Sequence, residues 1–147
     1  MDKNVAIIGA SGAIGNAFVE HYSADQSVKN VFAFSRKKQS YENNKVHSFN
    51  LDIENQESIQ DAAEEVKDNR LNHIIIATGI LHSESFAPEK SIKDINYDSM
   101  TKVMSVNTIG PSLVGRYFIP LLTKDTKSVL AFLSARVGSI SDNKLGG

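Results

Sequence analysis

The chain has 147 residues, 41% hydrophobic and 22% charged, with a formal net charge of −1, a size and balance that describe one globular domain able to bury a sizeable core. So small a charge excludes broad electrostatic attraction to nucleic acid or to a membrane surface, which leaves a small molecule as the expected partner. Cysteine is absent, which excludes a disulfide framework and any cysteine-ligated metal and fits a reducing, cytoplasmic setting.

Near the N-terminus, Val5-Ala6-Ile7-Ile8 is far too short for a signal segment or a membrane span; followed by Gly9, it reads as a strand buried on both faces of a parallel sheet. Ile14, Ala17, Phe18 and His21-Tyr22 recur at helical spacing and predict a helix from Ala13 to Ala24. Val31 to Phe34 is a second strand, Val46 to Leu51 a third, and His73 to Ala77, rich in β-branched residues, a fourth. Between the third and fourth, Ile59, Ala62, Ala63 and Val66 mark the inner face of a helix, while Glu57, Asp61, Glu64, Glu65 and Lys67 form its solvated face.

From Asn96 a longer helix is expected, with Asn96 or Asp98 at its start and Met100, Val103, Met104, Val106, Ile109 and Leu113 as its apolar face. Gly110 and Pro111 interrupt it, either as a kink or as a point of close packing on the sheet. A fifth strand, Ser128 to Leu133, leads into a polar loop with Ser134, Ser139 and Ser141 and a terminal Gly146-Gly147. This alternation predicts an α/β sandwich with a parallel sheet and right-handed crossovers. With no repeat, low-complexity tract or linker, residues 1–147 read as a single domain.

Gly9-Ala10-Ser11-Gly12-Ala13-Ile14-Gly15 lies between the first strand and the first helix, where spaced glycines indicate dinucleotide binding. Gly9 permits the tight turn, Gly12 or Ala13 lets the backbone approach a pyrophosphate, and Gly15 lets helix pack on strand. The phosphates then meet free N–H groups at a helix N-terminus. After the second strand a site specific for NAD usually places a carboxylate on the ribose 2′-OH. Here the chain reads Ser35-Arg36-Lys37-Lys38. Arg36 can stack on adenine or grip a 2′-phosphate with its planar fork, so NADP(H) is the expected cofactor and NAD(H) the alternative.

With these features, the sequence resembles the short-chain dehydrogenase/reductase family along its whole length, and within it the C-factor and sniffer-like carbonyl reductases. Leu51-Asp52-Ile53 is similar to the family's segment beside adenine, and Ala77-Thr78-Gly79 to its Asn-Ala-Gly turn. Asn107 in Val106-Asn107-Thr108 is similar to its active-site Asn, and Ser134-Ala135-Arg136-Val137-Gly138-Ser139-Ile140 to the loop of its catalytic Ser. The resemblance implies a Rossmann-type doubly wound parallel sheet of strand order 3-2-1-4-5. It implies a nicotinamide hydride exchanged with a small carbonyl or alcohol, and a cofactor site drawn from Gly9, Ser11, Gly12, Ala13, Ile14, Gly15, Ser35, Arg36, Lys37, Asp52, Ile53, Ala77, Thr78 and Gly79. Catalysis would use Asn107 and Ser134, with Ser139 in reserve, because counting back from Gly138 brings the family's serine nearer Ala135. Two further departures are the glycine spacing of the family's longer branch, with Ala13 in place of a glycine, and Thr78 in place of Asn.

The family also uses a Tyr-x-x-x-Lys pair, in which the Lys lowers the Tyr pKa from its free value near ~10. The one such pattern here, Tyr41 to Lys45, falls between the second and third strands and reads as chance. The resemblance would place the true pair just beyond Gly147. The chain is therefore expected to be the N-terminal part of a longer family member without its last strands and lid, inactive alone, and with an apolar fifth-strand edge that invites self-association. His21, His47, His73 and His82 lack metal-ligand spacing, so no metal is expected. The family packs the helix of residues 96–121 against a partner subunit, which implies a homodimer or tetramer. A second function class, a non-catalytic nucleotide-binding or signalling module, stays open.

Overall fold

The computed structural model describes residues 2–141; Gly146-Gly147 lies outside them. Five parallel strands, β1 (Lys3–Ile8), β2 (Val28–Ser35), β3 (Val46–Asn50), β4 (His73–Ile76) and β5 (Val129–Phe132), form one sheet in the order β3-β2-β1-β4-β5. This is the doubly wound order implied by the resemblance, with strand ends within three residues of those read from the sequence. Because every strand runs the same way, the segments after Ile8, Ser35, Asn50, Ile76 and Phe132 gather at one end of the sheet, the usual place for a ligand crevice.

Helix α1 (Ala13–Ala24) covers one face, and α2 (Gln56–Glu65) with the later helices covers the other. Alternation along β1 decides the two cores: Val5 and Ile7 pack with Val19 of α1, Val31 and Ile75, while Ala6 and Ile8 pack with Phe34, Ile59, Val114 and Phe118. Asn55 caps α2 by accepting the Ser58 N–H.

The long helix differs from its expectation. It begins, capped by Asn96, as α3 (Tyr97–Met104), widens into a π turn over Ser105–Ile109, and continues as α4 (Gly110–Phe118). Pro111 is the cause: it has no N–H to give the Asn107 carbonyl, and its ring would crowd that carbonyl in a regular ladder. The turn widens instead, and the Gly110 N–H reaches back to the Ser105 carbonyl. Gly110 also sits so close to the segment after β3 that a Cβ would come within 2.3 Å of the Ile53 carbonyl oxygen. The expected apolar face is split. Val106 and Leu113 join the core, whereas Met100, Met104 and Ile109 are each about half exposed. On edge strand β5, Val129 and Phe132 stay partly exposed, as does Leu133 just after it. Among the described residues no helix is long and apolar enough to cross a membrane.

Candidate functional site

At the C-terminal end of the sheet a cleft of about 210 Å³ opens between the glycine turn, the turns after β2 and β3, and the loop after β4. The glycine turn is shaped by sterics. Gly9 has φ +89°, a left-handed conformation that side chains rarely adopt, and both its N–H and that of Ala10 donate to the Phe34 carbonyl at 2.9 and 3.0 Å. This folds the chain back so that α1 starts against β1; at Gly15 a Cβ would stand 2.1 Å from the Gly9 carbonyl oxygen. Gly12 is the N-cap of α1, no side chain caps it, and its first turn carries no acidic residue. The amide groups at that end are thus left for an anion, which the helix dipole also favours.

The turn after β2 is fixed by Ser35, which is buried and donates its hydroxyl to the Lys37 carbonyl at 2.6 Å. That bond occupies the hydroxyl and leaves Arg36 exposed on the cleft wall. Asp52 is likewise spent on its own turn, since its carboxylate accepts the Glu54 N–H at 3.0 Å while its N–H donates to Ser58 Oγ. Thr78 lines the cleft with a buried hydroxyl that has no hydrogen-bond partner, a group that a bound molecule or water would satisfy. Asn107, aimed by the π turn, clamps the loop after β4: its Nδ2 donates to the Ile80 carbonyl at 2.7 Å and its Oδ1 accepts the Ile80 N–H at 2.8 Å.

Of the residues expected from the sequence, Gly9, Ser11, Gly12, Ser35, Arg36, Asp52, Ile53, Ala77, Thr78 and Gly79 line this cleft. Ala13, Ile14, Gly15 and Lys37 do not; the first three form the start of α1 behind the turn, and Ile14 is exposed. Asn107 lies beside Gly79, where a Cβ would be 3.7 Å from Asn107 Oδ1, without lining the cleft itself. Ser134 follows β5 at the same end of the sheet, exposed, and Ser139 shares a 3.2 Å contact with Ser141; neither lines the cleft. Glu54, Ile80, Lys102 and Val106 line it too, although nothing in the sequence marked them for the site. Glu54 and Lys102 form an ion pair. Their pairing has no signature in a linear sequence, because the two lie 48 positions apart.

The Tyr-x-x-x-Lys pattern lies elsewhere. Tyr41 packs beside the α1-side core with its hydroxyl buried, which pushes its pKa up, and Lys45 donates to the Asp25 carbonyl at 3.0 Å. His73 contacts the Tyr22 hydroxyl at 3.1 Å at the far end of the sheet, where burial holds the histidine below its ordinary value. Among the described residues no group of three or more His, Cys, Asp or Glu is placed to hold a metal. The cleft thus offers uncapped helix amides, one guanidinium and a buried hydroxyl, a set of donors that fits a dinucleotide, which would carry its own redox chemistry.

A family model for short chain dehydrogenases matches residues 3–144. The chain belongs to the short-chain dehydrogenase family. An uncharacterized oxidoreductase of Schizosaccharomyces pombe is 31% identical over 95% of this chain. Among solved structures, the NADPH-bound carbonyl reductase from chicken fatty liver is similar with a TM-score of 0.82 and 25% identity, covering 98% of this chain and 61% of its own. The carbonyl reductase Sniffer of Caenorhabditis elegans shares the fold at a TM-score of 0.81 and 21% identity, with 99% of this chain and 69% of its own covered. This short-chain dehydrogenase spans about half the length, 56%, of the curated relatives it matches.

Proposed function

We propose that this chain is the cofactor-binding part of an NADPH-dependent oxidoreductase that exchanges a hydride with a small carbonyl or alcohol. The observation that carries the reading is one cleft that joins the uncapped N-terminus of α1 to Arg36, with no carboxylate on the turn after β2. The relative solved with NADPH supports the same cofactor. In this reading the α1 amides bind the diphosphate, Arg36 takes the 2′-phosphate, Asn107 fixes the loop after β4 and Ser134 steadies the substrate oxygen. The bound nicotinamide supplies the hydride.

Titration calorimetry tests it. NADPH should bind more tightly than NADH, and Arg36→Ala should weaken NADPH about 10- to 100-fold, the worth of a charge-assisted contact of ~1.5–3 kcal/mol, while changing NADH under about threefold. Equal binding of the two cofactors to the unaltered protein would defeat the NADPH preference. Because the only Tyr-x-x-x-Lys lies away from the cleft, we take the 147-residue chain by itself to bind cofactor without turnover. This also favours the second reading, a nucleotide-binding module.

We also propose self-association through α3, where Ile95, Met100, Val103 and Met104 line an apolar groove and Met100 and Met104 are about half exposed. Light scattering after size exclusion should give a dimer or larger assembly that Met104→Glu dissociates. A monomer at high concentration would refute it.

A further inference from the structure

The cleft carries four charged side chains among the described residues: Arg36, Asp52, Glu54 and Lys102. Asp52 is turned onto its own loop. Glu54 is different, because its carboxylate is met by Lys102 from α3. Lys102, Val106 and Gly110 are four residues apart along one side of the long helix. Lys102 and Gly110 meet the segment after β3, by an ion pair at Glu54 and a close approach to Ile53, and Val106 between them is buried in the cleft wall. In a regular α-helix each four-residue step overshoots a full turn by about 40°. The wider π turn, which lies between Lys102 and Gly110, takes part of that drift back.

We infer that Lys102 is a specificity-determining residue of this cleft: paired with Glu54, it cancels a carboxylate that would otherwise repel the 2′-phosphate of an adenine dinucleotide held by Arg36. The inference rests on the NADPH reading above. Without Lys102 the cleft would hold two carboxylates against one guanidinium, and a 2′-phosphate would feel the unpaired Glu54 far more than a 2′-hydroxyl would. The favourable pairing also explains how a cleft with an acidic residue two positions after Asp52 can accept a phosphorylated ribose at all.

Four proteins decide it: the unaltered chain, Lys102→Met, which keeps the apolar stem, Glu54→Gln, and the double variant, each titrated with NADPH and NADH at low and moderate salt. Lys102→Met should bind NADPH about 10-fold more weakly and NADH less than about threefold more weakly, with the gap closing as salt rises. Glu54→Gln should bind NADPH at least as tightly as the unaltered chain. The double variant, which also lacks the ion pair, should return to within about threefold of it, which separates charge from any structural role. Unchanged NADPH binding in Lys102→Met, or a double variant as weak as Lys102→Met, would overturn the inference. Arg36→Ala run in parallel keeps the two readings apart. Selective NADPH loss there with a flat Lys102→Met defeats only the role of Lys102, and no selective loss there defeats the NADPH reading and this inference together.

Discussion

Gly15→Ala is expected to lower NADPH affinity by about 100-fold or more and to destabilise the fold. The added Cβ would lie 2.1 Å from the Gly9 carbonyl oxygen, 2.7 Å from the Gly9 carbonyl carbon and 3.1 Å from Ala10 Cα. All three are backbone atoms, so no rotamer change relieves the clash. Either α1 moves off β1 or the glycine turn opens, and the turn is tied to Phe34 by two amide hydrogen bonds. Overpacking of this kind costs about 1–3 kcal/mol even where side chains can yield. The cost to binding is larger, because the amides at the start of α1 shift relative to Arg36, and losing one or two charge-assisted hydrogen bonds of ~1.5–3 kcal/mol each is worth about 100-fold or more. Gly12→Ala is the control for the fold alone, since its Cβ would meet the Gly9 oxygen at 3.4 Å, near ordinary contact, and should cost much less stability. Calorimetry and thermal unfolding on both variants check this; near-native NADPH affinity in Gly15→Ala would show that the turn does not hold the cofactor as proposed.

What the sequence made legible follows from which signals are local. The five strands and α1 could be read because their apolar patterns carry the period of the structure, and Gly9 and Gly15 because only glycine suits a left-handed turn and so close a helix contact. The long helix was misread at its face. Gly110-Pro111 announced an irregularity, but whether it kinks, ends or widens the helix depends on what lies beneath, here Ile53, which belongs to another segment. A 3.6-residue period carried through the π turn then assigned Ile109 inward when it is about half exposed.

The cleft divides in the same way. The lining residues on the turns after β1 and β2 could be named from their own segments, and those after β3 and β4 from the family resemblance. Glu54 and Lys102 were missed because their meeting depends on the register of a helix against a loop. Shifted pKa values would not have found the site either: Tyr22, Tyr41 and His73, whose burial moves them, all lie outside the cleft lining. A site whose chemistry is carried by a cofactor needs donors and shape more than tuned acids.

Phe118→Ala should be the most destabilising truncation in the core, at about 3–5 kcal/mol. Phe118 is fully buried near the end of α4, with its ring edge-on to Phe34 at 5.4 Å between centroids. Alanine there leaves a cavity that a helix joined to the rest of the chain at both ends cannot collapse to fill. Domains of this size are stabilised by roughly 5–15 kcal/mol, so the variant would lose a large share, and the unfolding midpoint should fall by roughly 6–20 °C. Phe132→Ala gives the contrast: the same residue type, about half exposed on edge strand β5, should cost about 1 kcal/mol. The loss at Phe118 should also reach the cleft. Phe34, its ring partner, holds the glycine turn through its carbonyl and directly precedes Ser35 and Arg36. A looser Phe34 therefore weakens both the amide cradle and the guanidinium, and NADPH affinity should drop in Phe118→Ala at temperatures where the variant is still folded, but not in Phe132→Ala. Equal midpoints for the two variants would show that the core on the α4 side of the sheet is not packed as described.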